Sequence, residues 1–267
     1  MTQADSTRRT GAVVVAWKQV RITFEAVHSL LKLDSPVGII VCVVQEWDPE
    51  DALALRAVLP EGSLVVELRE NLGFARAANL GIGTAISAGA DWVLLLNNDA
   101  VVDPRCVGRC LEETYPIGRI AVVGPAVAFM DQPELLWYAG GSHSNLFAYT
   151  RHPGLRADSG APAPTGDTDY VPGCCALISA AAWLELGPYR EDFFLYYEDA
   201  EWCARAREAG WRCRYVGEVL CWHAVSVSAG RRGSIGLTST QAYYLARNPL
   251  RFAIETRQLG RRLTRLA

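Results

Sequence analysis

Three short runs limit what this chain can fold into: Gly11–Ala16 (GAVVVA), Val37–Val44 (VGIIVCVV) and Asp91–Leu96 (DWVLLL). They are apolar almost without interruption and rich in β-branched residues, where a half-exposed strand would alternate polar with apolar. Strands of this kind are covered on both faces, as in a parallel sheet between helix layers. The sequence between them supplies helices. Apolar residues at 22, 24, 27, 30 and 31 give Arg21–Leu33 a helical spacing that ends near Asp34-Ser35-Pro36. Residues 50–59 read as a second helix and Ser63–Glu67 as a short strand. Asn71–Ala88 mixes small and apolar residues as a tightly packed helix does. Strand and helix alternate, which argues for an α/β class with a mostly parallel central sheet flanked by helices. Ligands of such sheets gather outside the carboxyl ends of the strands. Here those ends are Trp17–Lys18, Gln45–Asp48, Glu70–Asn71 and Asn97–Asp99, all polar or aromatic.

Beyond about residue 120 the pattern changes. Val122–Met130 is strand-like, and residues 137–170 are rich in Gly, Ser, Pro and Asp, as expected of a mobile loop or irregular hairpin. Val171–Ser179 resumes a strand, and Ala180–Leu186 is a short helix stopped by Gly187-Pro188. Glu198 and Asp199 then open a helix-like segment, and His223 follows a strand-like run ending Val219-Leu220-Cys221-Trp222. Glu201 and Arg205 have the spacing of an exposed i,i+4 pair. The expected organisation is one domain. Its first half spans 11–120, its second half 121–235, and a helical tail 236–267.

Bulk properties exclude several classes. A formal charge of −3 offers no global basic field for nucleic acid. No apolar run approaches the roughly 20 residues that span a bilayer. Residues 1–10 lack the apolar stretch of a secretory leader, and the expectation is a soluble cytoplasmic protein. Eight scattered cysteines form no CxxC pair and read as buried small hydrophobes in a reducing compartment. Arginines collect at 247, 251, 257, 261, 262 and 265. They read as a solvated helix, as a peripheral contact with an acidic membrane surface, or as a subunit contact in a homodimer. No GxGxxG is present, which argues against a dinucleotide-dependent oxidoreductase.

The segments NLGFARAANLGI, LLLNNDAVVDP, VPGCCALI and LGPYREDFFLYYEDAEWCARAREAGW occur in that order, followed by His223 and a late YYLARNPL. This ordered set resembles glycosyltransferase family 2, and within it the rhamnosyltransferase-like members, which have the GT-A fold. The resemblance covers roughly residues 11–250. It implies an inverting transfer from a nucleotide-diphosphate sugar to an acceptor hydroxyl, with Mg2+ or Mn2+. A dTDP-deoxysugar such as dTDP-rhamnose is the favoured donor, ahead of UDP- and GDP-sugars. The acceptor is a glycan intermediate or a small natural product.

By that resemblance Asn97-Asn98-Asp99 stands where the family carries its DxD motif. Asp99 and His223 are then the metal ligands, with Asn97 and Asn98 at the donor. The resemblance makes Asp199, the second acid of the pair, the general base, with Glu198 orienting a substrate. The donor site would further take Ala16, Trp17, Gln45, Asn71, Arg76 and Asn79, with Arg231 closing over the diphosphate beside Ser226, Ser228 and Arg232. Gly173, Cys174 and Trp202 would shape the acceptor pocket. Blander roles stand beside these. Residues 97–99 suit an Asx-turn, His223 a structural imidazole, Asn71–Asn79 plain strand–helix packing, and Trp17 a core position. Asn97 and Gln45 replace acids common in the family, which leaves a non-catalytic nucleotide-sugar-binding relative as the alternative.

Overall fold

The computed structural model describes residues 9–115, 118–143, 150–224 and 238–255. The first half runs β1 (Thr10–Trp17), α1 (Val20–Leu30), β2 (Ile39–Gln45), α2 (Pro49–Val58), β3 (Leu64–Leu68), α3 (Phe74–Ser87) and β4 (Trp92–Asn97). It continues through β5 (Ala100–Val102), α4 (Cys106–Glu112) and β6 (Ile120–Phe129). Short strands β7 (Leu136–Tyr138), β8 (Ser142–His143), β9 (Thr150–Arg151) and β10 (Gly166–Thr168) occupy the Gly- and Pro-rich stretch. The chain closes with β11 (Cys175–Ser179), α5 (Ala180–Leu186), α6 (Glu198–Glu208), β12 (Arg212–His223) and α7 (Ser239–Glu255).

The main sheet has the order β10-β12-β6-β11-β4-β1-β2-β3. Parallel pairing joins β3, β2, β1 and β4, and again β6 and β12. β11 is antiparallel to both β4 and β6, so it stitches the two parallel blocks into one sheet pointing the same way. The carboxyl ends of β1, β2, β4, β6 and β12 therefore open on one edge, together with the start of β11. That shared edge positions the candidate site.

The local chemistry follows the sequence closely. Residues 12–16 and 40–44 are enclosed on both faces, as unbroken apolar runs require. The small residues of α3 are explained by its closeness to the sheet: a Cβ on Gly81 would stand 2.4 Å from Val13 Cγ1. All eight cysteines are buried and free.

Three expectations need correction. α3 begins at Phe74, not Asn71, because Asn71 Oδ1 accepts the Gly73 N–H at 2.9 Å and Gly73 takes φ 86°. β11 begins at Cys175, not Val171, because Pro172–Cys175 turns, with Cys175 N–H donating to the Pro172 carbonyl at 3.3 Å. The Glu201–Arg205 pair forms at 2.8 and 3.0 Å, yet Glu201 is buried rather than exposed. Arg205 also donates to the Leu186 and Pro188 carbonyls, fastening α6 to the turn after α5.

Candidate active site

Asp99 and His223 meet because β5 pairs antiparallel with β12. His223 lies opposite Ala100, and the Ala224 N–H donates to the Asp99 carbonyl at 2.8 Å. This register brings His223 Nε2 to 3.0 Å from Asp99 Oδ1, with both side chains buried. The Trp137 ring packs edge-on against the imidazole at 4.6 Å and fixes its plane. Two buried acceptors nearby lack a partner, Asn97 Oδ1 and His223 Nδ1.

A carboxylate, an imidazole and an unpaired amide oxygen form an oxygen- and nitrogen-rich donor set of the kind Mg2+ or Mn2+ accepts. No group of three or more His, Cys, Asp or Glu side chains suited to a metal occurs among the described residues. Sites with few protein ligands are completed by substrate phosphates and water.

Asp199 reaches the same edge through β11. Its Oδ2 accepts the Gly173 N–H at 2.9 Å and its Oδ1 the Ala200 N–H at 2.7 Å. The Cys174 carbonyl accepts the Asn97 N–H at 3.0 Å, so the two-residue segment Gly173-Cys174 ties the acid of α6 to the end of β4, two residues before Asp99. The electrostatics agree. Burial raises the Cys174 thiol, and the charges of Asp99 and Asp199 both add to that rise. Burial likewise raises the Tyr196 phenol, with smaller upward contributions from Glu198 and Asp99.

The two adjacent acids sit in different surroundings. Glu198 is buried with Oε2 unpartnered, and desolvation, followed by the Asp199 charge, pushes its pKa well above the ordinary value. Asp199 is half-buried, and desolvation raises it too, opposed by the N–H groups of Gly173 and Ala200. A carboxylate with a raised pKa is a stronger proton acceptor.

Backbone strain concentrates here. Seven non-glycine residues among those described have left-handed φ. Lys18, Gln19 and Glu46 lie at the ends of β1 and β2, and Phe194, Tyr196 and Tyr197 immediately precede Glu198. Each costs on the order of 1–3 kcal/mol, and such residues cluster at functional sites.

Several expected ligand contacts are internal struts instead. Gln45 is 1% exposed, and its Oε1 accepts the Leu72 N–H at 2.9 Å, so it pins the loop before α3 rather than reading a base edge. Asn79 exchanges hydrogen bonds with the Tyr189 backbone, both at 2.9 Å, and its amide is spent there. Asn98 is buried and donates to Thr23 Oγ1 at 3.1 Å. Ala16 is enclosed in the core. Trp202, expected at the acceptor, is 1% exposed, stacked among Trp183 and Tyr189, and donates to the Gly187 carbonyl at 2.9 Å. Cys174 is buried, and Gly173 holds the Asp199 carboxylate. The first amides of α3 are not open to phosphate either, since Phe74 and Ala75 N–H both donate to the Phe194 carbonyl, at 2.7 and 3.3 Å.

The remaining positions face outward. Trp17 is 36% exposed, not a core residue, and donates its indole N–H to Glu46 Oε2 at 2.7 Å. That bond, with Lys18 at 3.3 Å, holds the Glu46 carboxylate below its usual range. Arg76 is exposed beside Glu191 at 3.5 Å. Asn71 uses its oxygen in the turn at Gly73. Arg231, with Ser226, Ser228 and Arg232, lies outside the described residues. Sequence reasoning missed Trp137 and Tyr196, whose approach to His223 and Asp99 comes from pairings between distant segments.

Comparison with known proteins places this geometry. Residues 8–239 match the model of the family described as glycosyltransferase like family 2. The chain is 28% identical over 185 residues to an N-acetylglucosaminyl-diphospho-decaprenol L-rhamnosyltransferase of Mycobacterium tuberculosis, covering 58% of this chain and 59% of that protein. It is 26% identical over 170 residues to galactofuranosyltransferase GlfT1 of Mycolicibacterium smegmatis, covering 64% of this chain and 54% of that protein. The chain thus matches only a little over half the length of these relatives. Among solved structures it superposes on GalNAc-T7 with UDP, GalNAc and Mn2+ at a TM-score of 0.65 and 16% identity, covering 82% of this chain and 44% of that one. On the mannosyltransferase PcManGT of Pyrobaculum calidifontis, with GDP-Man and Mn2+, the TM-score is 0.59 at 17% identity, covering 83% and 59%. The sheet is the GT-A fold of these neighbours. This chain belongs to glycosyltransferase like family 2.

Proposed function

We propose that this protein is an inverting glycosyltransferase that moves a sugar from a nucleotide-diphosphate donor to an acceptor hydroxyl. The observation that carries the reading is that the two-residue segment Gly173-Cys174 binds Asp199 on one side and the strand end leading to the Asp99–His223 pair on the other. Asp199 takes the proton of the acceptor hydroxyl as that oxygen bonds to the anomeric carbon. The bond from that carbon to the diphosphate oxygen breaks on the opposite face, and its electron pair leaves with the diphosphate. Asp99 and His223 would hold Mg2+ or Mn2+, whose charge offsets that of the departing diphosphate. Asn97 Oδ1, buried and without a partner, would serve the cation or a donor hydroxyl. Trp17, exposed at the end of β1, offers a ring face to a base.

A dTDP-deoxysugar such as dTDP-rhamnose is the favoured donor, supported by the likeness to a rhamnosyltransferase. The acceptor we favour is a glycan intermediate. No helix among the described residues is long and apolar enough to cross a membrane. We further propose a peripheral contact with an anionic membrane, made by α7 and the arginines that follow it. The exposed side of α7 carries Tyr243, Leu250 and Ile254, and Arg257, Arg261, Arg262 and Arg265 come next in sequence.

The test is incubation with UDP-, dTDP- and GDP-sugars in Mn2+. Slow hydrolysis of one donor, lost in EDTA, is the expected result. Donor binding without turnover in any acceptor screen would instead make the protein a nucleotide-sugar-binding relative.

A further inference from the structure

The loop Phe193–Tyr197 is held from outside by α7, and the contact centres on one buried amide. Asn248 is 0% exposed. Its Nδ2 donates to the carbonyls of Phe193, Leu195 and Tyr196 at 3.1, 2.8 and 2.7 Å, while its Oδ1 accepts from Arg247 Nε at 2.8 Å. Arg247 adds Nη2 bonds to the Asp192 and Phe193 carbonyls at 2.7 and 3.0 Å. Gln241 donates to the Tyr196 hydroxyl at 3.1 Å, and Tyr244 stacks on Phe194 at 5.0 Å. The Phe193 carbonyl also accepts the Leu195 N–H at 2.8 Å, but the Leu195 and Tyr196 carbonyls have their bond from Asn248, and buried unpaired carbonyls are costly.

The same loop faces the site on its other side. Phe194 and Tyr196 take the left-handed backbone that α7 secures, and the Phe194 carbonyl closes the start of α3. Tyr197, at φ 74°, sets where α6 begins, so Glu198 and Asp199 inherit their direction from it. We propose that α7 is a clasp on this loop and that Asn248 is a positioning residue for Asp199, touching neither donor nor acceptor. This proposal uses the reading of Asp199 as the base, yet its structural half stands apart from any activity.

Hydrogen exchange read by mass spectrometry tests it on the full chain. In Asn248→Ala, peptides spanning 193–199 and 72–77 should exchange about tenfold faster or more, with β1 and β2 unchanged. The kcat for donor turnover should fall about tenfold while donor KM stays within about threefold, because the base moves and the donor site does not. The Thr240→Ala change, at an exposed position of the same helix, should do neither. Arg247→Met removes two carbonyl contacts, the Nε bond to Asn248 Oδ1 and the guanidinium over the Tyr244 ring, and leaves the Asn248 amide N–H bonds in place. It should give a weaker form of the same pattern, and it serves if the alanine variant does not fold. Loosening confined to 239–255, with 193–199 as slow as wild type, overturns the clasp. Loosening of 193–199 with kcat unchanged overturns the positioning role. A wild-type protein that turns over no donor, but whose variants show the exchange pattern, would sink the transfer reading and leave the clasp standing.

Discussion

Asp199 and Glu198 are adjacent in sequence but do different work. Asp199 is half-buried and points both oxygens at backbone N–H groups, whereas Glu198 is buried with an unpaired oxygen. Asp199→Asn should therefore lower transfer by about 10²–10⁴-fold with donor affinity kept, and unchanged turnover would remove Asp199 from the reaction. Glu198 carries a linkage prediction. Its folded pKa is raised above the ordinary 4.5, so the neutral form is favoured in the folded state. That contribution to stability is fully present below the ordinary value and is lost as pH rises through the folded one. Glu198→Gln, which cannot ionise, should match wild type in melting temperature near pH 4 and exceed it increasingly towards pH 8. A gap that does not change with pH would contradict the raised pKa. For the metal pair, Asp99→Ala should weaken Mn2+-dependent donor binding by at least about tenfold in calorimetry, near the 1.4 kcal/mol of one charge-assisted contact. Equal affinity with and without the mutation would reject the pair. Asp99 and His223 could be singled out only through the ordered motifs that resemble the family; what brings them together is the antiparallel pairing of β5 with β12, which no local pattern announces. The internal bonds of Gln45, Asn79 and Asn98 could not be foreseen, because their partners lie 27, 110 and 75 positions away, and no local pattern encodes them.

At the scale of elements, the entry to α3 is the most constrained junction. Gly73 has φ 86°, and a Cβ there would stand 2.5 Å from the Phe194 ring and 2.7 Å from its carbonyl oxygen. Gly73→Ala should destabilise by about 1–3 kcal/mol, read as a lower denaturation midpoint with unchanged slope, because the left-handed backbone and the close carbonyl oppose the methyl together. A variant as stable as wild type would mean that the loop 193–197 yields freely. The sequence revealed β1, β2, β4 and α5 almost to the residue, since an apolar run or a Gly-Pro stop acts within a few positions. It did not reveal β5 or the short strands of 136–168. A three-residue strand such as β5 has no periodicity of its own, and it exists because β12 offers it an edge. The start of α3 was misplaced although its signal is local: Asn and Gly are poor helix formers, and Asn71 Oδ1 accepts the Gly73 N–H to make the turn.

Across the whole molecule, α7 presents two faces with different chemistry. Asn248 and Phe252 are buried on the inner face, and Arg247 and Arg251 turn towards Asp192, which burial alone would not require. Those turns take two cations away from the outer side and leave Ala242, Tyr243, Ala246, Leu250 and Ile254 exposed there. An apolar stripe without charge is a poor solvent face, and with four arginines following it in sequence it suits the proposed contact with an anionic bilayer, where each arginine near the surface adds about 1 kcal/mol. Sedimentation with vesicles of phosphatidylglycerol and phosphatidylcholine is the measurement. Binding should rise with the anionic fraction and weaken in high salt, since screening shortens the reach of the arginines. Leu250→Glu, which puts a negative charge in the stripe, should reduce binding at every salt concentration, whereas replacing the four arginines by glutamine should remove the salt dependence. Equal binding to vesicles with and without phosphatidylglycerol would end the membrane reading. Self-association that Leu250→Glu abolishes, with no vesicle binding at all, would assign the same stripe to a second copy of the chain.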